Sequence, residues 1–295
     1  MHATILGCGY VGIKLAEQLQ QNGHEVTGVR RSQAGLRVLK KHGVTPLQAD
    51  ITEEQSLSYL PESDWVIFMP TPDKRTPQAT KDLHVKGLQS VIETYASRSS
   101  PPRRLIYAST TGVYGDHDGR WVNEDTPVDP PTKRLAMYRE AEQLIETVAP
   151  QRGIDGTVIR FAGLYGPERY RLGRYLEGPV VEGYLNMIHR SDAAGVITKL
   201  LCDQLLMNDV AIGVDTEPVH RWEFADWLAD LHGKERPEKQ SVEEYLAGKS
   251  YTKARKQRIK ASKRCANKGL KEIGYKYRVP TYREGYKPTV ESNNS

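Results

Sequence analysis

Cysteine is scarce in this chain. Its 295 residues include three cysteines, Cys8, Cys202 and Cys265, which lie far apart in the sequence. No Cys-x-x-Cys or Cys/His spacing of the kind that binds a metal is present, so we predict no metal site. An odd and sparse set of cysteines argues against a disulfide scaffold and suits a reducing compartment. We therefore expect a cytoplasmic protein.

Long apolar runs are also missing. The longest, such as 66–69, are far shorter than the ~20 residues of a membrane-spanning helix. The amino-terminal residues enter a strand-like segment at once, without the basic stretch and apolar core of a signal peptide. Hydrophobic residues make up 38% of the chain. These features predict a protein that has no membrane partner.

An excess of one charge is small in the chain as a whole. Lys and Arg number 42 against 37 Asp and Glu, a net charge of +5, which does not by itself indicate nucleic acid. Segment 249–271 is the exception, with ten Lys or Arg and no Asp or Glu. It has one aromatic residue, Tyr251, and no recognised nucleic-acid motif. We interpret it mainly as a solvated surface near a substrate lobe, and nucleic-acid binding is a third alternative for function.

What is present is an alternation of strand-like and helix-like segments. The strand-like segments are 3–6, 25–29, 44–49, 64–69, 104–108, 154–160 and 210–214. The helix-like segments are 11–21, 36–41, 80–95, 133–148, 192–206 and 221–232. This order predicts an α/β fold with a doubly wound, mostly parallel sheet of about seven strands. Residues 164–187 are rich in Gly, Tyr, Arg and Pro, and we predict loops there.

A glycine-rich turn joins the first predicted strand to the first predicted helix. The sequence GCGYVG at 7–12 matches the pattern GxGxxG in the context that makes this pattern informative. Gly7 permits the tight turn, Gly9 lets the backbone approach a pyrophosphate, and Gly12 allows close packing of helix and strand. The predicted cofactor contacts are Gly7, Gly9, Tyr10, Val11 and Gly12. The turn predicts a Rossmann-type dinucleotide site, and the alternative is a glycine turn without a ligand.

The end of the second predicted strand carries positive charge. Dinucleotide folds that use NAD usually place Asp or Glu here, whereas this chain has Arg30, Arg31 and Ser32. Guanidinium groups match phosphate oxygens, so we predict the cofactor NADP, with NADPH preferred over NADH. The alternative is that both arginines are solvated surface charges. Asp50 and Ile51 follow the third strand, where we expect them beside the adenine.

Several further motifs occur in a familiar order. They are DI at 50–51, HVKG at 84–87, STTGVYG at 109–115, RFAGLYGP at 160–167 and NMIHRSD at 186–192. Together with the glycine turn, they resemble the extended and atypical branches of the short-chain dehydrogenase/reductase superfamily, and most of all the NAD(P)-dependent epimerases/dehydratases of nucleotide sugars. His84 stands where the family has Asn.

This resemblance implies an NADP-binding oxidoreductase or epimerase-like protein that acts on a small anionic or nucleotide-sugar-like substrate. Many members are dimers, so a homodimer is expected by analogy. The predicted division is a cofactor domain at 1–162, completed by 190–214, and a substrate lobe at 163–189 and 215–288. A tail at 289–295 follows the lobe.

The family's catalytic pair is absent from its expected place. The family has Tyr-x-x-x-Lys on the helix after the fifth strand, and counting back from the AE pair at 141–142 puts Arg134 at the Tyr position and Tyr138 at the Lys position. Arg134 stays charged, so it can hold a ribose, a phosphate or an oxyanion but cannot transfer a proton. Tyr138 is either a displaced acid or a packing residue. Thr110 aligns with the family's hydrogen-bonding Ser/Thr, and these three are the candidate catalytic residues.

Ligands in such sheets bind beyond the carboxyl ends of the strands. Residues expected in this cleft are Pro70, Thr71, Thr110, Thr111, Tyr114, Phe161 to Leu164, Arg169, Tyr170, Arg171, Arg174 and Tyr175, with Pro70, Thr71 and Phe161 at the cofactor. His117 is an attractive general acid, although its Asp-Gly neighbour favours a plain turn. Two hypotheses follow: an NADPH-dependent enzyme with a rearranged acid/base, or a non-catalytic NADPH-binding sensor or scaffold.

Overall fold

The computed structural model describes residues 1–205 and 209–291. The central sheet contains the strands β1 His2–Leu6, β2 Glu25–Arg30, β3 Thr45–Gln48, β4 Trp65–Phe68, β5 Arg104–Thr110, β6 Asp155–Phe161 and β7 Asp209–Gly213. The main helices are α1 Tyr10–Gln21, α2 Gln33–Lys41, α3 at 77–96, α4 at 133–151, α5 Arg190–Cys202, α6 Arg221–Leu231 and α7 Lys253–Lys260. The predicted helix at 192–206 ends outside the described residues.

The seven strands run parallel in the order β7-β6-β5-β4-β1-β2-β3. The chain builds outward from β1 to β3 and then crosses back to β4 on the other side of β1. Leu6 is paired with Val29 of β2 and with Phe68 of β4. The predicted α/β doubly wound sheet is confirmed. The crevice beyond the carboxyl ends of β1 and β4 is the switch point where such sheets bind ligands.

Helices cover both faces of the sheet because successive strand residues point to opposite sides. Ile5 packs in the cluster with α1 and α5, whereas Leu6 packs in the cluster with α3 and α4. On α1, the buried side chains include Leu15 and Leu19, one turn apart, which is the spacing that predicted this helix. The core is therefore two apolar layers with the sheet between them.

Two helices contain wider π-type turns, at Lys81–Gly87 within α3 and at Leu144–Val148 within α4. Such turns often mark functional sites. The first carries His84 and brings Gly87 against the loop after β3. A Cβ atom on Gly87 would lie 2.9 Å from Cγ2 of Ile51. The sequence periodicity predicted the helix but not the bulge.

The segment predicted as loops contains short strands and a turn of helix. Gly163–Tyr165 pairs with Met187–His189, Tyr184–Leu185 with Val219–His220, and Val180–Val181 with Lys239–Gln240. An aromatic cluster lies beneath them, made by Tyr165, Tyr175, Phe224, Tyr282 and Tyr286. These residues form a second core from 163–189 and the region after 214. The prediction of plain loops was wrong because strands of two or three residues carry no readable period.

The remaining short elements are the pair Trp121–Val122 with Arg264–Cys265 and the helices Glu54–Leu57, Thr111–Tyr114, Gly173–Leu176, Val242–Leu246, Lys268–Glu272, Tyr282–Tyr286 and Pro288–Glu291. Thr289 is buried, and its Oγ1 lies 3.0 Å from Nε2 of His232. The first part of the predicted tail is thus helical, and residues 292–295 lie outside the described ranges. Within those ranges, no helix combines the length and apolar character needed to cross a bilayer.

Candidate active site

A cleft of about 1250 Å³ lies at the carboxyl ends of the sheet strands. The predicted residues on its wall are Gly7, Gly9, Tyr10, Val11, Gly12, Arg30, Arg31, Ser32, Asp50, Ile51, Pro70, Thr71, Thr110, Tyr138 and Phe161. Arg134 is not on the wall, but its guanidinium carbon lies 5.6 Å from the centre of the Tyr138 ring. The fold therefore brings predicted residues from seven separate stretches of the chain to one site.

The glycine turn forms part of the wall of this cleft. Gly7 has a φ of +78°, and a Cβ atom there would lie 2.3 Å from the Cα of Pro70. A Cβ on Gly12 would lie 3.2 Å from Sδ of Met69. The amide of Ile13 donates to the carbonyl of Gly9 at 2.9 Å. The amides that precede it in the first turn of α1 have no helical carbonyl to bind and suit an anion.

Arg30 lies between the glycine turn and the start of α2. Its Nη1 donates to the carbonyl of Cys8 at 3.2 Å. Cβ atoms on Gly9 and Gly35 would lie 2.9 and 2.8 Å from its guanidinium. Both glycines are thus needed for the guanidinium to occupy this place. Ser32 caps α2 by accepting from the amide of Gly35 at 3.1 Å.

Arg31 reaches across the cleft to two carboxylates. Its Nη2 lies 2.5 Å from both carboxylate oxygens of Asp73, and its Nη1 lies 3.6 Å from Oδ2 of Asp50. Burial alone would raise the pKa of Asp50, but hydrogen bonds from Thr52 and the charge of Arg31 hold this pKa below its usual value. Asp50 is therefore an ionised hydrogen-bond acceptor on the cleft wall.

The carboxyl end of β5 supplies two hydroxyl groups. Thr110 Oγ1 accepts from the amide of Gly112 at 3.1 Å, which leaves its O–H proton available for a ligand. Ser109 Oγ donates to Oε1 of Glu142 at 2.5 Å and is buried. Both residues are on the cleft wall. The Thr110 hydroxyl can therefore donate to a ligand, whereas the Ser109 hydroxyl already donates to Glu142 on α4.

A buried ion pair lies behind this wall. Arg160 donates to Glu142 from Nη2 at 2.8 Å and from Nε at 3.1 Å, and to the hydroxyl of Tyr114 from Nη1 at 2.9 Å. Burial raises the pKa of Tyr114 to about 12. The expectation that Tyr114 lines the cleft was wrong, because its hydroxyl is committed to Arg160. His117 is also away from the cleft wall, with Nε2 2.9 Å from the carbonyl of Tyr114.

Sequence reasoning missed a ring cluster at the end of the cleft that Tyr138 lines. His84 packs on Tyr138 with ring centres 4.4 Å apart, and its Nδ1 lies 3.0 Å from the hydroxyl of buried Tyr107. Burial, aided by the charge of Arg134, lowers the pKa of His84 to about 3. The imidazole is therefore neutral, and its Nε2 has no partner among the described residues. The replacement of the family's Asn by His84 was the available signal.

The tyrosine that opens α1 is held between two arginines. The guanidinium carbons of Arg169 and Arg190 lie 4.1 and 4.9 Å from the centre of the Tyr10 ring. Arg169 and Arg171 line the cleft as expected. The loop that carries them is unusual because Arg171 and Glu168 have φ values of +55° and +69°.

Other residues expected on the wall lie elsewhere. Tyr175 is buried in the aromatic cluster, and the partly buried Tyr170 packs against it. Arg174 stacks on Tyr175 at 5.4 Å. Arg174, Tyr170, Tyr175, Thr111 and Gly163 are away from the wall, whereas Ala162 and Leu164 are on it. Within residues 1–205 and 209–291, no group of three acidic, His or Cys side chains is placed to hold a metal ion.

The chain resembles known proteins in its sequence and in its fold. The chain is 30% identical over 206 residues to protein YeeZ of Escherichia coli K12, an overlap that covers 67% of this chain and 72% of that one. Its fold matches UDP-glucose 4-epimerase of Thermotoga maritima, solved with UDP-glucose, with a TM-score of 0.79, 19% identity and coverage of 100% and 99%. It also matches dTDP-glucose 4,6-dehydratase of Streptomyces venezuelae, solved with NAD, with a TM-score of 0.80, 16% identity and coverage of 100% and 97%.

The family match covers the strands and helices that build the cleft. The pattern that defines the NAD-dependent epimerase/dehydratase family matches residues 3–210, from β1 to the start of β7. The matched stretch contains the glycine turn, the wall residues of β5 and the helix that bears Tyr138. The chain belongs to the NAD-dependent epimerase/dehydratase family.

Proposed function

We propose that the protein is an NADP-dependent oxidoreductase or epimerase-like enzyme that acts on a small anionic substrate. The observation that carries this proposal is the position of Arg30 and Arg31 at the end of β2, on the wall of the cleft. No carboxylate stands at that strand end, where a ribose hydroxyl of NAD would be held. Two guanidiniums there suit a 2′-phosphate.

The residues of the cleft fit a dinucleotide. Gly7, Gly9 and the first turn of α1 would hold its pyrophosphate, and Arg30 with Ser32 would hold the 2′-phosphate. Asp50 and Ile51 would flank the adenine. When bound, such a cofactor supplies a nicotinamide ring that exchanges hydride with a substrate carbon.

The chain's own groups at the reacting end would orient the substrate and move a proton. The hydroxyl of Thr110 is a free donor for a substrate oxygen. Tyr138 is the candidate proton carrier because its phenol lines the cleft. Arg134, beside that ring, stays protonated and can stabilise an oxyanion or an anionic substituent.

One observation favours the second candidate, a non-catalytic NADPH-binding sensor or scaffold. Burial raises the pKa of Tyr138 above its ordinary value, and the charge of Arg134 opposes this rise only in part. The family's catalytic phenol works because a neighbouring Lys lowers its pKa. A phenol whose pKa is raised is a poor proton carrier near neutral pH. Cofactor binding without turnover is therefore the alternative function.

Cofactor choice is tested by fluorescence titration of the full chain with NADPH and, separately, NADH. We expect tight NADPH binding that falls at least tenfold in Arg30→Ala/Arg31→Ala, because a charged hydrogen bond to phosphate is worth about 1.5–3 kcal/mol. Arg236→Ala is the matched control, since Arg236 pairs with Asp230 away from the cleft wall. Equal affinity for both nucleotides, or no binding of either, would contradict the proposal.

Catalysis is tested by single-turnover hydride transfer from NADPH to a panel of carbonyl substrates that includes nucleotide sugars. Transfer that is lost in Tyr138→Phe and kept in Tyr107→Phe would assign the proton to Tyr138. Tight NADPH binding with no transfer to any member of the panel would support the sensor instead.

A further inference from the structure

The loop at 166–171 runs between the aromatic cluster and the cleft. Its middle residue, Tyr170, is tied to the cluster, because the hydroxyl of Tyr286 donates to the carbonyl of Tyr170 at 2.9 Å and the centres of the two rings lie 5.1 Å apart. The residues on either side of it, Arg169 and Arg171, both line the cleft. One loop thus anchors in the aromatic core and presents two guanidiniums to the cleft wall.

Arg169 reaches the residue that opens α1. Its guanidinium carbon lies over the ring of Tyr10, 4.1 Å from the ring centre, and Tyr10 directly follows Gly9 of the glycine turn. A Cβ atom on Gly166 would lie 2.8 Å from Nε2 of His189 and 3.0 Å from the hydroxyl oxygen of Tyr10. The loop can therefore come this close to α1 because it has glycine at 166. Its arginine lies beside the first turn of α1, where the amides lack helical carbonyls.

The charges of these two arginines are not used by the protein itself. The other arginines of the wall have polar partners, since Arg31 pairs with Asp73 and Arg30 donates to the carbonyl of Cys8. Arg169 and Arg171 are exposed and have no carboxylate or carbonyl partner among the described residues. A guanidinium that lies over a ring contacts it with its flat face, so its in-plane N–H donors stay available. Such donors bind phosphate oxygens in pairs.

The backbone of the loop adopts a costly conformation. Glu168 and Arg171 have φ values of +69° and +55°, a left-handed region that residues with a side chain rarely occupy. Such conformations cost free energy and cluster at active sites and ligand clamps. The amide of Arg169 donates to the carbonyl of Gly166 at 2.9 Å, which closes the turn. The cost of this turn favours a role of the loop in binding a ligand.

We propose that Arg169 and Arg171 bind the pyrophosphate of the dinucleotide together with the glycine turn. The proposal rests on the proposed function, because it places a dinucleotide in the cleft. It assigns the two pairs of wall arginines different tasks. Arg30 and Arg31 would select the 2′-phosphate of NADPH, whereas Arg169 and Arg171 would bind a group that NADPH and NADH share. Cofactor binding would then join the loop at 166–171 to α1.

The first test is fluorescence titration of the full chain with NADPH and, separately, NADH. Arg169→Gln and Arg171→Gln should each weaken both nucleotides by the same factor, about tenfold, because both nucleotides contain the pyrophosphate. Adenosine 2′-monophosphate, which has no pyrophosphate, should keep its affinity in both variants, as measured by displacement of NADPH. Arg174→Gln is the matched control, since it removes one positive charge from the same segment away from the cleft wall. It should change each affinity by less than about twofold.

A second test needs no substitution. Trypsin cleaves after arginine, and Arg169 and Arg171 are exposed in a loop. Saturating NADPH should slow cleavage of the wild type after these two residues several-fold, because their side chains would be bound to the pyrophosphate. Cleavage after Lys253, which is exposed and away from the cleft wall, should keep its rate. The sites are identified by mass spectrometry of the fragments.

The outcomes separate this proposal from the proposed function. Nucleotide affinities that depend on Arg169 and Arg171, but not on Arg30 and Arg31, would refute the choice of NADP and support the pyrophosphate site. NADPH binding that is unchanged in Arg169→Gln and Arg171→Gln, or equally weakened in Arg174→Gln, would overturn the pyrophosphate site alone. So would losses confined to UDP titrated into the NADP⁺-saturated protein, which would assign the two arginines to a substrate phosphate. No binding of either nucleotide to the wild type would overturn both proposals.

Discussion

Arg31 and Asp73 form an ion pair on the wall of the cleft, with both carboxylate oxygens 2.5 Å from Nη2 of the guanidinium. The pair joins the end of β2 to the loop after β4. A 2′-phosphate bound at the end of β2 has to compete with Asp73 for Arg31. Asp73 is thus a built-in competitor at the site that we propose selects NADP.

Removing that competitor should improve NADPH binding. Asp73→Asn is expected to raise the affinity for NADPH about three- to fivefold, because an exposed ion pair is worth up to about 1 kcal/mol. NADH has no phosphate to gain and should bind as before. Asp226→Asn, an acidic side chain paired with Lys239 elsewhere, is the control. A parallel gain for NADH would show that Asp73 acts only through loop mobility.

The two glycines of the turn are expected to respond differently to alanine. Gly7→Ala combines a φ of +78° with a Cβ 2.3 Å from the backbone of Pro70, so the free energy of unfolding should fall by about 2 kcal/mol. Gly9→Ala meets only the flexible end of Arg30, so stability should hold while NADPH affinity falls at least tenfold. Urea unfolding and nucleotide titration of both variants separate these effects. Equal destabilisation of the two would contradict this assignment.

The parts of the fold that depend on local pattern could be predicted from the sequence. The period of Leu15 and Leu19 predicted α1, and the glycine turn with the residues that follow β2 predicted the wall of the cleft. The bulge that carries His84 was not predicted, because one extra residue shifts the apolar period by less than can be read over so short a helix. The buried position of Tyr114 could not be predicted either, because it depends on a hydrogen bond from Arg160, forty-six residues away in the chain.

The basic segment shows the same limit. Composition revealed the positive charge of 249–271, but not the hydrogen bonds that join Ser262 to the loop at 116–119. The division into a cofactor domain and a substrate lobe stays a prediction, as do the roles of Thr110, Tyr138 and Arg134.

His84 should make stability depend on pH. The pKa of His84 is about 3 in the folded chain and about 6.5 in the unfolded chain. Below pH 6.5 the unfolded state therefore binds a proton that the folded state does not bind. The stabilisation is complete above pH 6.5 and is lost as the pH falls toward 3, by up to about 1.4 kcal/mol per pH unit.

The measurement is urea unfolding of the wild type and of His84→Asn from pH 7 to pH 4.5. The wild type should lose stability more steeply than the variant below pH 6. His189, whose pKa is also lowered by burial, to about 4, is common to both proteins and cancels in the difference. Equal slopes would show that His84 titrates freely.

The buried pair of Glu142 and Arg160 should dominate the effect of substitutions in α4. Glu142 is fully buried and Arg160 is 4% exposed, so Glu142→Gln would leave a guanidinium without a counter-ion in the core. The free energy of unfolding should fall by about 3–5 kcal/mol. Glu146→Gln on the same helix removes a carboxylate that is 29% exposed and should cost less than about 1 kcal/mol.

The double variant Glu142→Gln/Arg160→Gln checks the cause. If the uncompensated charge is responsible, removing Arg160 as well should recover part of the loss, and urea unfolding measures this directly. Because Ser109 donates to Glu142 beside Thr110, the single variant should also disturb the cleft wall and weaken NADPH binding. A double variant less stable than Glu142→Gln would instead mean that Arg160 stabilises the core through Tyr114 alone.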